Sequence, residues 1–402
     1  MPELPEVETV ARDLARLLVG ATLTGARGDW PRAIASHGSV GAFAAAVTGR
    51  RVETVRRRAK LVVVHLSGDA ALTIHLKMTG QLFVVVADAP ADRHVHVAIS
   101  LADGRELRFR DVRKFGRVGC WPVDPATGEV LDPEAGGGLF AATGPEPLDD
   151  AFTVRAFRIR LRGRRGRLKP LLLDQGFIAG VGNIYADEAL WRARLHPLRS
   201  AATLRPPDEA RLYRELRAVL AEAVLRRGSS IDDYTAPDGD GSMQERLEAY
   251  QRTGEPCPRC GRPIRRIVVG GRATHFCSWC QRLPAGDRAG TAAILAAARA
   301  PRARGRRWVE LPGEGTLGLT PAEARRAAAE AARAAARART ERTRRAAATR
   351  RAQARAGTPG AVDAGTSGAA GTSGAAGTPG AAGTGGEASG TVPGERPTAG
   401  GA

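Results

Sequence analysis

Residues 257–280 read CPRCGRPIRRIVVGGRATHFCSWC, which contains two Cys-x2-Cys pairs separated by 16 residues. Pairs at this spacing are typical of a zinc ribbon, in which each pair closes half of a thiolate tetrahedron around one zinc ion. Because four thiolates leave no coordination position for a substrate, the zinc is predicted to be structural and to stabilise a small hairpin. The predicted ligands are Cys257, Cys260, Cys277 and Cys280.

The first 135 residues carry the pattern of a β-sandwich domain with a flanking helix. A helix with Pro5 in its first turn and apolar residues at helical spacing is predicted to end at Gly20. Strand-like segments then follow roughly every ten residues, and two packed layers are expected from them. The predicted strands are Leu61–Leu66, Ala71–His75, Gln81–Val86, Val95–Leu101, Glu106–Arg110 and Arg117–Trp121.

The rest of the chain divides by composition. The predicted segments are a Gly/Pro-rich linker (136–150), a helical domain with a Gly/Ser/Asp-rich loop at 228–254 (151–254), the zinc ribbon (255–283) and a basic tail (284–402). The tail is predicted to be an Ala/Arg-rich helix to about residue 356, followed by flexible Gly/Thr/Ser/Ala repeats. Helices are predicted at Phe152–Arg160, Pro170–Asp174, Ile184–Ala193 and Pro207–Arg226. The fold class is therefore α+β.

The chain is strongly basic, with 61 lysines and arginines against 42 acidic residues and a formal net charge of +19. Such charge favours a polyanionic partner such as nucleic acid, although general solubility would also explain it. We find no signal-peptide pattern and no apolar run of membrane-spanning length. The paired cysteine spacing favours a metal in a reducing compartment over disulfides. A cytoplasmic protein without a membrane partner is expected.

The second residue offers an unusual nucleophile. Removal of Met1 would leave Pro2 with a free secondary amine. An α-amino group has a pKa of about 8 against about 10.4 for lysine, so more of it is uncharged at neutral pH. The positive end of the helix that follows would lower that pKa further. Glu3 is placed to transfer protons to a leaving group or a sugar ring oxygen. Taken alone, an exposed and frayed terminus is the simpler interpretation.

Six motifs, in order and spacing, give the chain a resemblance to bacterial formamidopyrimidine-DNA glycosylases. They are MPELPEVET (1–9), RRAK (57–60), HLKMTGQL (75–82), DVRKFG (111–116), GPEPL (144–148) and GVGNIYA (180–186), with the four-cysteine ribbon after them. The resemblance covers residues 1 to about 283. It implies an N-terminal β-sandwich with flanking helices, a helix-two-turn-helix module and a C-terminal zinc ribbon, with DNA held in the cleft between them.

The resemblance also implies an activity and a partner. A monomer would excise oxidised purines such as 8-oxoguanine and formamidopyrimidines from damaged double-stranded DNA. It would form a Schiff base through the N-terminal proline and then cleave the strand by β,δ-elimination. One structural Zn²⁺ is the only cofactor implied. Catalytic roles are implied for Pro2, Glu3, Lys60 and Arg272.

Further site residues follow from the same resemblance. DNA contacts are implied for Lys60, His75, His94, Arg113, Arg164, Asn183 and Arg272, although solvated charge explains His94 and Arg164 equally well. Asn183 follows Gly180-x-Gly182, so the start of its helix can present amides to an anion. Met78, Arg113 and Phe115 match a set that fills the space left by an extruded base, with the arginine facing the orphaned cytosine. Core packing is the alternative for Met78 and Phe115.

Two other interpretations stay open. An endonuclease VIII-type enzyme would act on oxidised pyrimidines with the same amine, but that group opens Pro-Glu-Gly-Pro and fills the void differently. A zinc-ribbon DNA-binding protein without catalysis would not need Pro2 or Glu3. Val112 and Lys77 depart from the enteric-type pattern beside the void-filling set, which leaves base-opposite preference undefined. The tail is either a nonspecific DNA tether or dispensable.

Overall fold

The computed structural model describes residues 2–230 and 241–296. The predicted tail helix and the low-complexity repeats lie outside the described residues, as do Met1 and ten residues of the predicted 228–254 loop. Within the described ranges, no helix combines the length and the apolar character needed to cross a bilayer.

The described chain forms seven α-helices and twelve strands in the order β-sandwich, helical module and hairpin. The strands are β1 (Leu23–Gly28), β2 (Val52–Arg58), β3 (Leu61–Leu66), β4 (Ala70–His75), β5 (Gly80–Val86), β6 (Val95–Leu101), β7 (Arg105–Asp111), β8 (Arg117–Pro122), β9 (Leu131–Asp132), β10 (Gly137–Gly138), β11 (Arg265–Val269) and β12 (Arg272–Phe276). The helices are α1 (Leu4–Leu18), α2 (Val40–Val47), α3 (Val154–Arg162), α4 (Leu168–Leu173), α5 (Asn183–Arg192), α6 (Pro206–Leu225) and α7 (Ala292–Ala296).

Two four-stranded antiparallel sheets make the predicted sandwich. Their strand orders are β1-β6-β7-β5 and β2-β3-β4-β8. Apolar side chains from both sheets and from α1 form one core, in which Val62, Leu72 and Phe109 are buried. Alternation of side chains along each strand explains why every second residue enters this core.

A second core holds the helical module together. Phe157 of α3, Tyr185 of α5 and Leu216 of α6 are buried in it, and Leu4 reaches it from the start of α1. The N-terminal segment is therefore fixed to the helical module although the rest of α1 packs on the sandwich. This shared anchoring brings residues 2–4 to the start of α5.

The zinc-ribbon hairpin consists of β11 and β12, joined through Gly270 and Gly271. Phe276 and Leu283 are buried in a small core with Leu198, and Leu295 of α7 packs against it. The described packing therefore extends past the predicted ribbon boundary at residue 283.

The six predicted strands are confirmed to within one residue, and the predicted helices start within two residues of the observed ones. Among the described residues, the prediction missed α2, β1 and β2, together with the short elements α7, β9 and β10. β1 contains two glycines and a register shift, and β2 ends in three arginines and also shifts register, so neither shows clean alternation.

Candidate active site, DNA interface and metal centre

The N-terminal segment lies against a glycine turn before α5. Pro2 is buried, and the Leu4 amide donates to the Gly180 carbonyl at 3.0 Å. A Cβ at Gly180, whose φ is +78°, would lie 2.7 Å from Leu4 Cβ, and one at Gly182 would lie 2.3 Å from Glu3 Cδ. Real Cβ atoms do not approach so closely. Glycine at both positions is what lets the terminus reach α5.

The Glu3 carboxylate sits on the N-terminal end of α5. It accepts the amides of Gly182 and Ile184, both at 2.8 Å, and that of Tyr185 at 3.3 Å. The first turn of a helix has free amides and partial positive charge, so it binds an anion well. The sequence predicted that amides at the start of the Asn183 helix can bind an anion. In the structure, the anion bound by these amides is the Glu3 carboxylate. This fixes the carboxylate one residue from the Pro2 nitrogen.

Glu3 and Lys60 form a buried pair of opposite charge. Burial raises the pKa of Glu3, while the charge of Lys60 and the helix amides oppose that rise. Burial likewise lowers the pKa of Lys60, against the attraction of Glu3. Both shifts favour the neutral forms of the two side chains.

The predicted linker positions Lys60. Ala59, which precedes it with φ of +54°, donates its amide to Glu146 Oε1 at 2.7 Å. Arg57 and Arg58 form ion pairs with the same carboxylate at 2.7 and 2.8 Å. Glu146 therefore holds the β2–β3 turn in the conformation that presents Lys60 to Glu3.

Arg272 begins β12 at the tip of the ribbon hairpin and is exposed. Its positive charge is among the causes that lower the pKa of Lys60. The two cations are thus close enough to interact, and a phosphate could lie between them.

The predicted void-filling residues are exposed. Met78 and Phe115 keep 39% and 51% of their surface in contact with solvent, which excludes core packing for both. Arg113 is also exposed, and its Nη1 lies 3.5 Å from Met78 Sδ. Three such side chains together on a protein surface are typical of an interaction site.

Asp111 organises the loop that carries Arg113 and Phe115. It is fully buried, and its carboxylate accepts the amides of Phe115 at 2.8 Å and Gly116 at 2.7 Å. It also accepts the Thr79 hydroxyl, next to Met78. One carboxylate therefore holds both loops of the exposed set.

His75 and Asn183 each use one polar group inside the protein. His75 Nδ1 accepts the Lys77 amide at 3.0 Å, and burial lowers the pKa of His75 to about 3. The ring is neutral, with its proton on Nε2. Asn183 Nδ2 donates to the Ala273 carbonyl at 2.9 Å, which ties α5 to β12.

The two remaining predicted contacts lie in loops, one before β6 and one after α3. His94, half-buried, accepts Arg93 Nε at 3.2 Å and lies next to His96. Arg164 is exposed in the turn after α3. No hydrogen bond joins either side chain to the described residues around Glu3.

Glu6 is a further site residue, for which the sequence predicted no role. Its carboxylate accepts the Glu3 amide at 2.9 Å, the Ser229 amide at 2.8 Å and the Tyr185 hydroxyl. It is buried beside Glu3, which helps to raise the pKa of that residue. The capping-box spacing of Glu3 and Glu6 was the available signal.

The four cysteines form a metal centre. Their Sγ atoms all lie within 4.8 Å of one another, and Cys257 and Cys277 are buried. Bonds of about 2.3 Å from four sulfurs to a central zinc need sulfurs roughly this close together. The donor set therefore fits one tetrahedral zinc with no open position.

Comparison with known proteins gives matches to three family models, which follow one another along the chain. They are the formamidopyrimidine-DNA glycosylase N-terminal domain over residues 1–118, the H2TH domain of that glycosylase over 143–235, and a zinc finger found in FPG and IleRS over 254–283. The chain belongs to the formamidopyrimidine-DNA glycosylase family. Its four ribbon cysteines hold one structural zinc ion.

Individual relatives agree. The formamidopyrimidine-DNA glycosylases of Herpetosiphon aurantiacus and Chloroflexus aurantiacus are 48% and 49% identical over 283 residues, which is 70% of this chain and 100% and 98% of theirs. The crystal structure of the Thermus thermophilus protein matches with 43% identity and a TM-score of 0.62, over 70% of this chain and all of that one. A Lactococcus lactis enzyme in complex with N7-benzyl-Fapy-dG DNA matches with 36% identity and a TM-score of 0.64, over the same shares.

Proposed function

We propose that the chain excises oxidised purines, 8-oxoguanine and formamidopyrimidines, from duplex DNA and then cleaves the strand at the abasic sugar. The observation that carries this proposal is the placement of Glu3, fixed by three amides one residue from the terminal amine. Relatives that contain DNA with Fapy-dG or an abasic site support the substrate class. We expect a monomer that works on the bacterial nucleoid.

The chemistry begins at the Pro2 nitrogen once Met1 has been removed. The amine forms a bond to C1′ of the damaged nucleotide, and the electron pair of the C1′–N9 bond leaves with the base, which takes the amine proton. Glu3 then gives its proton to O4′ as the sugar ring opens and an iminium forms between nitrogen and C1′. The raised pKa of Glu3 suits it to hold that proton.

The iminium makes strand cleavage possible. It withdraws electrons, so a proton leaves C2′ and the C3′–O bond breaks with loss of the 3′ phosphate. Loss of a second proton, from C4′, expels the 5′ phosphate. Glu3, ionised after the ring has opened and one residue from the amine, can accept the C2′ proton and pass it to the departing 3′ phosphate, after which it is free to accept the C4′ proton.

Cations and hydrogen-bond donors around the amine hold the DNA backbone. Lys60 and Arg272 bind the phosphates next to the lesion, and the Nε2–H of neutral His75 donates to a neighbouring one. Asn183 has one N–H left for the same purpose. Arg164 and His94 lie further out and contact flanking phosphates.

The exposed set stabilises the duplex after the base has rotated out. Extrusion costs a few kcal/mol of stacking. Met78 and Phe115 fill the emptied space, and Arg113 donates hydrogen bonds to the orphaned cytosine. Their exposure without DNA leaves them available for this role.

An excision assay on matched duplexes tests the proposal. The wild-type protein is expected to cleave 8-oxoguanine:cytosine duplex to β,δ-elimination products and to leave undamaged duplex intact. Preference for thymine-glycol duplex would favour the endonuclease VIII-type alternative. Tight binding of both lesions without cleavage would leave only a DNA-binding protein.

A further inference from the structure

We propose that Asp187 is a positioning residue for Arg272, because it sets the register of the ribbon hairpin against α5. This inference rests on the proposed contact between Arg272 and DNA. Asp187 lies on α5, and Arg272 starts β12. Nothing in the sequence patterns singled out Asp187 or its partner His275.

Two contacts, one helical turn apart, join α5 to β12. Asn183 Nδ2 donates to the Ala273 carbonyl at 2.9 Å. Asp187 Oδ2 accepts the His275 amide at 2.8 Å and lies 3.0 Å from His275 Nδ1. Four residues of helix rise about 6 Å, and two residues of strand span about 6.7 Å, so the two spacings match. Only one register of β12 satisfies both contacts.

One buried lysine binds both α5 residues that make these contacts. Lys169 of α4 is fully buried, and its Nζ donates to Asp187 Oδ1 at 2.7 Å and to the Asn183 carbonyl at 2.8 Å. Asp187 is also fully buried, so each of its oxygens serves one side of the junction. A neutral side chain at 187 would leave the Lys169 charge buried without compensation.

The junction leads directly to the active site. Asn183 is the first residue of the helix whose amides hold Glu3, and Ala273 follows Arg272 in the chain. A slip of β12 by one residue would turn the Arg272 side chain to the opposite face of the hairpin. The contacts that fix this register therefore decide whether Arg272 lies near Lys60, where the proposed phosphate contact is made.

A double-mutant cycle between Asp187→Asn and Arg272→Ala tests the inference. The measured quantity is the dissociation constant for a duplex that carries a tetrahydrofuran abasic analogue, at fixed salt. If Asp187 acts through Arg272, Asp187→Asn weakens binding about tenfold in the wild type and less than about twofold in the Arg272→Ala background. A purely structural role would give the same factor in both backgrounds and would overturn the inference.

The single variants distinguish failure of the proposed Arg272–DNA contact from failure of the positioning role of Asp187. If Arg272→Ala does not weaken binding, the proposed Arg272 contact fails, and the inference fails with it. If Arg272→Ala weakens binding but the Asp187 effect is additive, only the inference fails. Asp208→Asn is the matched control, because Asp208 is a buried carboxylate on α6 paired with Arg199 and Arg211. Its effect on binding should be small and independent of Arg272.

A milder variant guards against misfolding of Asp187→Asn. His275→Phe removes the imidazole contact but keeps the Lys169–Asp187 pair and an aromatic ring against Tyr250, whose centroid is 5.1 Å away. With one zinc per chain confirmed, His275→Phe should weaken binding about threefold, and only when Arg272 is present. Unchanged binding in both backgrounds would contradict the inference.

Discussion

The two halves of the candidate site are built in opposite ways. Pro2 and Glu3 are buried, and three amides fix the Glu3 carboxylate before DNA arrives. Around Met78, Arg113 and Phe115, the backbone is fixed by Asp111 but the side chains are exposed. The comparison suggests that the bond-breaking groups are preorganised by the protein alone, whereas the void-filling groups are completed by the distorted duplex.

The largest effect should come from the preorganised half. Glu3→Gln keeps the shape of the side chain but removes the transferable proton and turns an NH2 group toward helix amides. Base excision in single-turnover assays should fall by about 10³-fold, since both proton transfer and orientation suffer. Glu53→Gln, an exposed acid on β2, is the control. Comparable losses of excision rate in both variants would mean that the Glu3 carboxylate has no special role.

A smaller loss of excision activity is expected when the Glu3 carboxylate is displaced but remains present. In Gly182→Ala, the added methyl group would lie 2.3 Å from Glu3 Cδ and must push the carboxylate away. Excision should slow by roughly 10- to 100-fold while affinity for abasic-analogue DNA changes little. Gly163→Ala, where nothing lies within 4 Å of the new methyl group, should behave as wild type. An unimpaired Gly182→Ala enzyme would show that close seating of the terminus is unnecessary.

A substitution in the exposed half should lower the excision rate without lowering the stability of the protein. Phe115→Ala removes a ring that is 51% exposed, so the melting temperature should stay within about 2 °C of wild type. Excision of 8-oxoguanine should nevertheless fall about tenfold, because the emptied duplex loses its aromatic filler. Thermal melting and excision measured on the same preparation check this. A large drop in melting temperature would mean that Phe115 packs in the protein.

The smallest effect concerns His75, which lies between the two halves. Because burial lowers its pKa from 6.5 to about 3, the unfolded chain binds one more proton than the folded chain between those values. Its stabilising contribution is therefore present above pH 6.5 and is lost as the pH falls toward 3. His75→Asn keeps an acceptor for the Lys77 amide but does not titrate.

Urea unfolding of both proteins at pH 6.5, 5.5 and 4.5 measures this difference. Wild type should lose up to about 1.4 kcal/mol per pH unit more than the variant. Identical pH dependence in the two proteins would contradict a lowered pKa for His75 in the folded chain.

The sequence predicted the strands, whose apolar residues alternate regularly, and the metal centre, whose cysteines have a fixed spacing. Strand alternation located six of the eight strands of the two sheets, and the cysteine pairs located the metal centre. The roles of Pro2 and Glu3 followed from amine chemistry together with the motif resemblance. These signals are local in the chain, so they can be recognised without coordinates.

The buried carboxylates could not be predicted in the same way. Glu6, Asp111 and Glu188 each accept several backbone amides from distant or looped segments. In a sequence, an acid on a helix or after a strand is most often a solvated charge. Only the folded chain shows that amides converge on it, as they do on Asp187 from the zinc ribbon.

Reductive trapping followed by intact-mass measurement shows whether the Pro2 amine attacks the damaged sugar. Protein confirmed to lack Met1 is incubated with 8-oxoguanine:cytosine duplex and borohydride, and the adduct is digested to locate the modified residue. We expect a covalent sugar on Pro2 in the wild type and its loss in Pro2→Gly or Glu3→Gln. Tight binding of the duplex without any adduct, or an adduct on Lys60 with Pro2 unmodified, would contradict it.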